Sequence, residues 1–116
     1  MKIRTVYLKV GNMGEAASFW QQVLERAPHR QSEKWTEFAV GEVRLGLLLN
    51  DFGDPFDGSS AVPVFEFEKT ALLTFLDRAK ASGAMVVVDG LDDENMKSIV
   101  LRSPDGHEFE LCTCHA

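Results

Sequence analysis

The stretch Ser103-Pro-Asp-Gly-His-Glu-Phe-Glu-Leu-Cys112 sets a tight turn in front of a run that alternates acidic and apolar side chains. Pro, Asp and Gly in succession are turn residues: Pro fixes φ and Gly accepts positive φ. Behind them, strict alternation predicts a half-buried strand. Glu108, Glu110 and Cys112 fall on one face of it, Phe109 and Leu111 on the other. The apolar pair belongs beneath a helix. The two acids then face either water or a site.

Working back from that strand, residues 96–102 and 85–89 read as further strands, separated by turn residues at 90–95. Residues 62–68 read as a strand and Thr70 as a helix N-cap. Leu72, Phe75, Leu76 and Ala79 supply an apolar stripe on a helix ended by Gly83. The first half repeats this order. Residues 3–10 alternate as a strand, and Asn12 with Glu15 makes a capping box. Met13, Ala16, Trp20, Val23, Leu24 and Ala27 recur at helical spacing until Pro28, with Trp20 in the core. Residues 29–33 add a weak edge strand. Residues 35–40 and 43–49 flank a turn at Gly41 and Glu42.

Residues 50–61, rich in Asp, Gly, Pro and Ser, separate the two halves. The expected organisation is one domain over 1–116, with module one at about 1–50, a linker at about 51–61 and module two at about 62–116. The class is α+β: two βαβββ modules forming a cupped mixed sheet with the helices outside. The face that the helices leave uncovered is where a ligand site belongs.

A net charge of −6 and scattered Lys and Arg side chains argue against nucleic-acid binding, which needs a grouped basic surface. No apolar run is long enough to span a bilayer, and the N-terminal residues lack the apolar core of a signal peptide. The expectation is a cytoplasmic protein without membrane partners. Cys112, Cys114 and His115 form Cys-Thr-Cys-His, too few ligands for a closed zinc site; two reduced cysteines are expected. His29, His107 and His115 are scattered, and no nucleophile triad or phosphate-cradling glycine loop is readable.

The doubled βαβββ plan, the run from Val10-Gly-Asn-Met13 into Phe19-Trp-Gln-Gln-Val-Leu24, and the closing Ser-Pro-Asp-Gly-His-Glu-Phe-Glu-Leu resemble the vicinal oxygen chelate superfamily. That superfamily includes glyoxalase I, extradiol dioxygenases, fosfomycin-resistance enzymes and bleomycin-resistance proteins. The resemblance covers essentially the whole chain, and Pro-Asp-Gly-x-x-x-Glu-Leu is its most specific piece. It implies a homodimer whose sites involve both chains. It also aligns the metal-ligand positions of metal-dependent members with Thr5, a position near Gly46, Val62 or a neighbour, and Glu110. Only Glu110 carries a usual ligand, and one carboxylate does not hold a catalytic metal.

The resemblance therefore implies a metal-independent small-molecule-binding protein of the bleomycin-resistance type without a cofactor. Its ligand would be a sequestered cationic or aromatic compound such as an antibiotic. The alternative is a lyase, isomerase or dioxygenase of the same superfamily, using a divalent metal or Glu110 as the catalytic base. A second alternative is an interaction protein whose cup is filled by its own side chains. Strand parity places Thr5, Tyr7 and Lys9 beside Arg44, Gly46 and Leu48 on the cup face. Val62, Val64, Glu66 and Glu110 come from the other module. Trp35 offers an aromatic platform. Phe52 and Phe56 of the linker either cover the mouth, where their rings and nearby aspartates suit a cation, or anchor the loop. Glu110 either faces the ligand or pairs with Lys9 or Arg44.

Overall fold

A computed structural model of the chain describes residues 1, 3–51 and 61–113. The turn at residues 103–107 closes on itself. The Ser103 N–H donates to His107 O at 2.7 Å and the Gly106 N–H to Ser103 O at 3.0 Å, with Gly106 at φ +94°. Ser103 Oγ accepts from the His107 N–H at 3.0 Å and donates to the Asp105 carboxylate. Pro-Asp-Gly is thus turn chemistry that hands the chain directly into the last strand.

The elements in chain order are β1 (Thr5–Val10), α1 (Met13–Leu24), β2 (Arg30–Gln31), β3 (Trp35–Val40), β4 (Val43–Leu49), β5 (Val64–Glu66), α2 (Lys69–Ala81), β6 (Met85–Gly90), β7 (Ser98–Arg102) and β8 (Glu108–Cys112). They fall into two units, Met1–Asp57 and Gly58–Ala116. Each unit is one mixed four-stranded sheet with one helix. The sheet orders, β1-β4-β3-β2 and β5-β8-β7-β6, are the same order written twice. In each unit the first strand pairs parallel with the last and the other pairs are antiparallel. A parallel pair needs a crossover, and the helix after the first strand begins it.

In the first unit, α1 buries Ala16, Ala17, Phe19, Trp20, Val23 and Leu24 on its sheet side. It packs on β3 and β4, whose Phe38, Leu45 and Leu47 are buried along with Leu8 and Val10 of β1. Asn12 caps the helix as its sequence predicts, its side chain accepting from the Glu15 N–H at 3.0 Å. In the second unit, Leu72, Phe75, Leu76 and Ala79 of α2 are buried, as are Ile99, Leu101, Phe109 and Leu111 of the sheet. Phe65 bridges the two layers, 6.1 Å from the Phe75 ring and 6.5 Å from that of Phe109. Strand β6 forms the edge of this sheet, with Met85 to Val88 exposed and a register shift between Val86 and Val88. No helix among the described residues is long and apolar enough to cross a membrane.

Several boundaries differ from expectation, for reasons that are partly tertiary and partly local. Glu68, not Thr70, is the N-cap of α2, and its side chain makes no capping bond. The Phe67 N–H donates to Cys112 O at 2.9 Å, so strand-like pairing runs up to the helix and leaves no room for a later cap. Helix α1 stops at Leu24, leaving Ala27 outside the stripe, because Arg26 folds back onto Leu24 O at 3.3 Å and reaches Ala39 O at 2.7 Å. Strand β7 starts at Ser98 rather than Met96. The Lys97 N–H donates to Asp93 O at 2.9 Å, completing a turn with Lys97 at φ +52°. The weak edge strand expected at 29–33 is present as β2, outside β3. Phe52, Phe56, Cys114 and His115 lie outside the described residues.

Lys97 carries a positive φ and an exposed side chain, while its carbonyl accepts from Thr113 N at 3.1 Å. A glycine keeps that carbonyl and removes the left-handed penalty of roughly 1–2 kcal/mol, less the entropy gained by the unfolded chain. Lys97→Gly is therefore expected to raise the free energy of unfolding by about 0.5–1 kcal/mol in a urea titration. A lower midpoint would mean that the lysine stem contributes packing that outweighs the backbone penalty.

Candidate functional site

The register across β1, β4 and β3 lays out three rows. Thr5 stands beside Arg44 and Ala39, Tyr7 beside Gly46 and Glu37, and Lys9 beside Leu48 and Trp35. Residues two apart on a strand share a face, so these rows form the face opposite Leu8, Leu45, Leu47 and Phe38. Thr5, Tyr7, Lys9, Trp35, Arg44 and Leu48 thus come together on one sheet. Glu37, at the centre of that face, carries no local sequence motif that marks it as a site residue.

Gly46 makes the middle row possible. The Trp35 indole lies over it, and a Cβ added at position 46 would fall 2.6 Å from Trp35 Cζ2. The Tyr7 ring meets Trp35 at 5.8 Å between centroids with an interplanar angle of 65°, an edge-to-face pair. Tyr7 is 51% exposed. The result is an aromatic shelf with one ring seated on the backbone and the other open to solvent.

Glu37 is 0% exposed. Its Oε1 accepts from Trp35 Nε1 at 3.2 Å, and its Oε2 sits 2.6 Å from His29 Nε2, the geometry of a protonated Nε2 donating to a carboxylate. Two guanidiniums flank the same oxygen: Arg4 Nη2 at 3.5 Å and Arg44 Nε at 3.6 Å. The backbone sets these positions. The His29 N–H donates to Glu37 O at 3.0 Å, and the Arg44 N–H donates to Arg4 O at 2.8 Å. Burying a carboxylate is costly unless it is paired and hydrogen-bonded. Burial pushes the Glu37 carboxyl upward, but the bonds from His29 and Trp35 and the charge of Arg4 outweigh it, holding it below its ordinary value of 4.5.

The one sequence signal for Glu37 was its position in Trp35-Thr-Glu-Phe-Ala-Val40. There it shares a face with Trp35, opposite a glycine that leaves room for a large neighbour. His29, isolated from other functional groups in the sequence, makes the shortest bond to this carboxylate.

In the second unit, Val64, Glu110, Val100 and Val88 form one row, and Glu66, Cys112, Ser98 and Gly90 the next. Phe109 and Leu111 are buried while Glu108 and Glu110 lie on the opposite, half-open face. Glu108 pairs with Arg102 Nη2 at 3.1 Å. Glu110 stands between two valines and has no side-chain hydrogen bond or ion pair among the described residues. Val62 is exposed and precedes β5, and Val64 is also exposed.

The four positions aligned with metal ligands do not fit a divalent metal centre. Thr5 Oγ1 accepts from Arg4 Nη1 at 2.7 Å, Gly46 lies beneath the indole, Val62 has no donor, and Glu110 is the single carboxylate. Among the described residues no group of three or more His, Cys, Asp or Glu side chains is placed to hold a metal ion. A cleft of about 340 Å³ beside α2 and another of about 300 Å³ on α1 are both lined without Tyr7, Trp35, Glu37 or Glu110.

Because the folded carboxyl of Glu37 lies below 4.5, its contribution to stability is complete above that value and is lost as pH falls through the lower folded value. Glu37→Gln is expected to lower the melting temperature at pH 7, and the gap to the parent chain should narrow as the pH is taken toward 3. A gap that stays constant with pH would show that Glu37 acts through shape and not charge.

Residues 5–112 match the family model described as glyoxalase-like domain. An Agrobacterium tumefaciens protein solved by solution NMR superposes with a TM-score of 0.83 at 18% identity, over 97% of both chains. A glyoxalase-related enzyme from Fulvimarina pelagi gives 0.76 at 15% identity, over 97% of this chain and 88% of that one. A mutant of the fosfomycin resistance protein FosX from Listeria monocytogenes, complexed with Mn(II) and a dihydroxypropylphosphonic acid, gives 0.73 at 18% identity over the same shares. At these identities the likeness is one of fold. No curated protein sequence matches the chain. With the family model spanning residues 5–112 and the βαβββ plan present in both halves, the chain belongs to the glyoxalase-like domain family.

Proposed function

We propose that this chain is a metal-independent binder of small aromatic compounds, using the Tyr7 and Trp35 face of its first module and acting by sequestration as a cytoplasmic homodimer. The observation that carries this reading is the indole over Gly46. Gly46, near the position that the resemblance aligns with a metal ligand, has no side chain, and an aromatic ring takes the space. The half-exposed Tyr7 then extends that ring into a surface on which a planar molecule can stack. An antibiotic with an aromatic body fits this description. A cationic one fits it less well, because Arg4 and Arg44 give the described face a charge opposite to the chain's overall −6.

Glu110 as a lone acid–base group is the competing, enzymatic reading, and metal uptake separates the two. In a native mass spectrum of protein purified without added metal or chelator, then exposed to Zn²⁺, Ni²⁺ and Mn²⁺, the expected species is a dimer without stoichiometric metal. One metal per chain, lost in Glu110→Gln, would overturn the proposal. A second measurement addresses the shelf. Gly46→Ala forces the Trp35 ring off its seat, so the tryptophan emission is expected to shift to the red, Trp20 being fully buried. The affinity for planar aromatic compounds, titrated in the presence of EDTA, should fall by up to about tenfold, the equivalent of one lost aromatic contact. Unchanged emission and affinity would remove Trp35 from the site.

A further inference from the structure

The donors around Glu37 outnumber its oxygens. Oε1 is taken by Trp35 and Oε2 by His29, so the two arginines stand 3.5 and 3.6 Å from an oxygen already bonded at 2.6 Å. Those separations are ion-pair distances, too long for good hydrogen bonds. Arg44 Nε is buried and has no acceptor among the described residues. A buried N–H without a partner is costly, and more so on a charged group. The charge count among the described residues points the same way: two guanidiniums face one carboxylate, leaving a surplus positive charge whatever the state of His29. Water can satisfy an N–H but leaves that surplus in place.

We propose that this face takes an oxyanion, a carboxylate or a phosphate, between Arg4 and Arg44, as the charged group of an aromatic ligand. The assignment rests on reading the face as a small-molecule surface and names the ligand class. The arginine side chains remain 61% and 36% exposed; Arg4 Nη1 spends one N–H on Thr5 Oγ1 and keeps a second for a ligand. Guanidinium is the side chain best matched to carboxylate and phosphate, presenting two parallel N–H donors to two oxygens. Glu37 is a positioning residue here: fixed by His29 and Trp35, it holds both guanidiniums at one place. The Tyr7 row is the next row on the same face after that of Thr5 and Arg44, a step of about 7 Å. That spacing suits an anionic group joined to the ring directly or through one or two atoms, as in an aryl carboxylate or aryl phosphate.

The test uses benzoate, phenyl phosphate, benzyl alcohol and benzylamine, with inorganic phosphate alone, titrated calorimetrically into the full chain at low salt. Benzoate or phenyl phosphate is expected to bind about tenfold or more tightly than benzyl alcohol, with benzylamine weakest. Whichever anion binds better identifies the source of the oxyanion. Arg4→Gln, a largely exposed change, should abolish the preference for the anionic rings over benzyl alcohol. Arg44→Gln should do the same, provided a melting curve shows it folded.

Equal affinity for the charged and uncharged rings would overturn the oxyanion and leave the aromatic binder standing. Tightest binding by benzylamine would overturn it in favour of a cationic ligand. Binding of inorganic phosphate without any advantage from a ring would keep the anion site and sink the aromatic reading. No binding by any probe would overturn the oxyanion. A retained organic mass in the native spectrum would still leave the binder intact.

Discussion

The carboxylate of Glu37 is the constraint around which the first module's open face is arranged. A buried acid must be matched from several directions, and each match fixes something else. Trp35 is turned so that its indole N–H reaches Oε1, which seats the ring on Gly46. His29 is held where β2 begins, and the two arginines are drawn in from β4 and the approach to β1. An aromatic shelf and a basic corner follow from satisfying one charge.

The two modules repeat a topology and not a chemistry. Both use a parallel first-and-last pair and one covering helix, and both alternate buried and half-open faces. The centre of the first open face is a glycine between Tyr7 and Glu37, while that of the second is Glu110 between valines. Packing on the helix side dictates the repeat, because Leu47 and Leu111 have to be buried alike. Nothing in that packing dictates what the opposite face carries.

This difference explains what the sequence made legible. Period-two alternation placed Phe109 and Leu111 inward and lined Thr5, Tyr7 and Lys9 up with Arg44 and Leu48, and Asn12 identified itself as a cap. These features follow from local pattern and steric rules. Glu37 was not legible, because an acid on a strand ordinarily faces water. Its burial depends on His29, Arg4 and Arg44, which only the sheet register brings together. The start of α2 was missed for a similar reason. A backbone bond from Phe67 to Cys112, far off in sequence, overrode the local capping preference of Thr70.

The turn at residues 103–107 has a kinetic meaning beyond its geometry. Its hydrogen bonds are made within five consecutive residues, so β7 and β8 can meet as a hairpin without waiting for any other element. The parallel pairing of β5 with β8 instead closes a loop that includes α2, β6 and β7. Loop-closure entropy rises with the logarithm of length, and the longer closure costs about 2 kcal/mol more. The second module thus has an inexpensive local nucleus at its C-terminal end. Its parallel seam, which completes the face carrying Glu110, is the costlier contact to close.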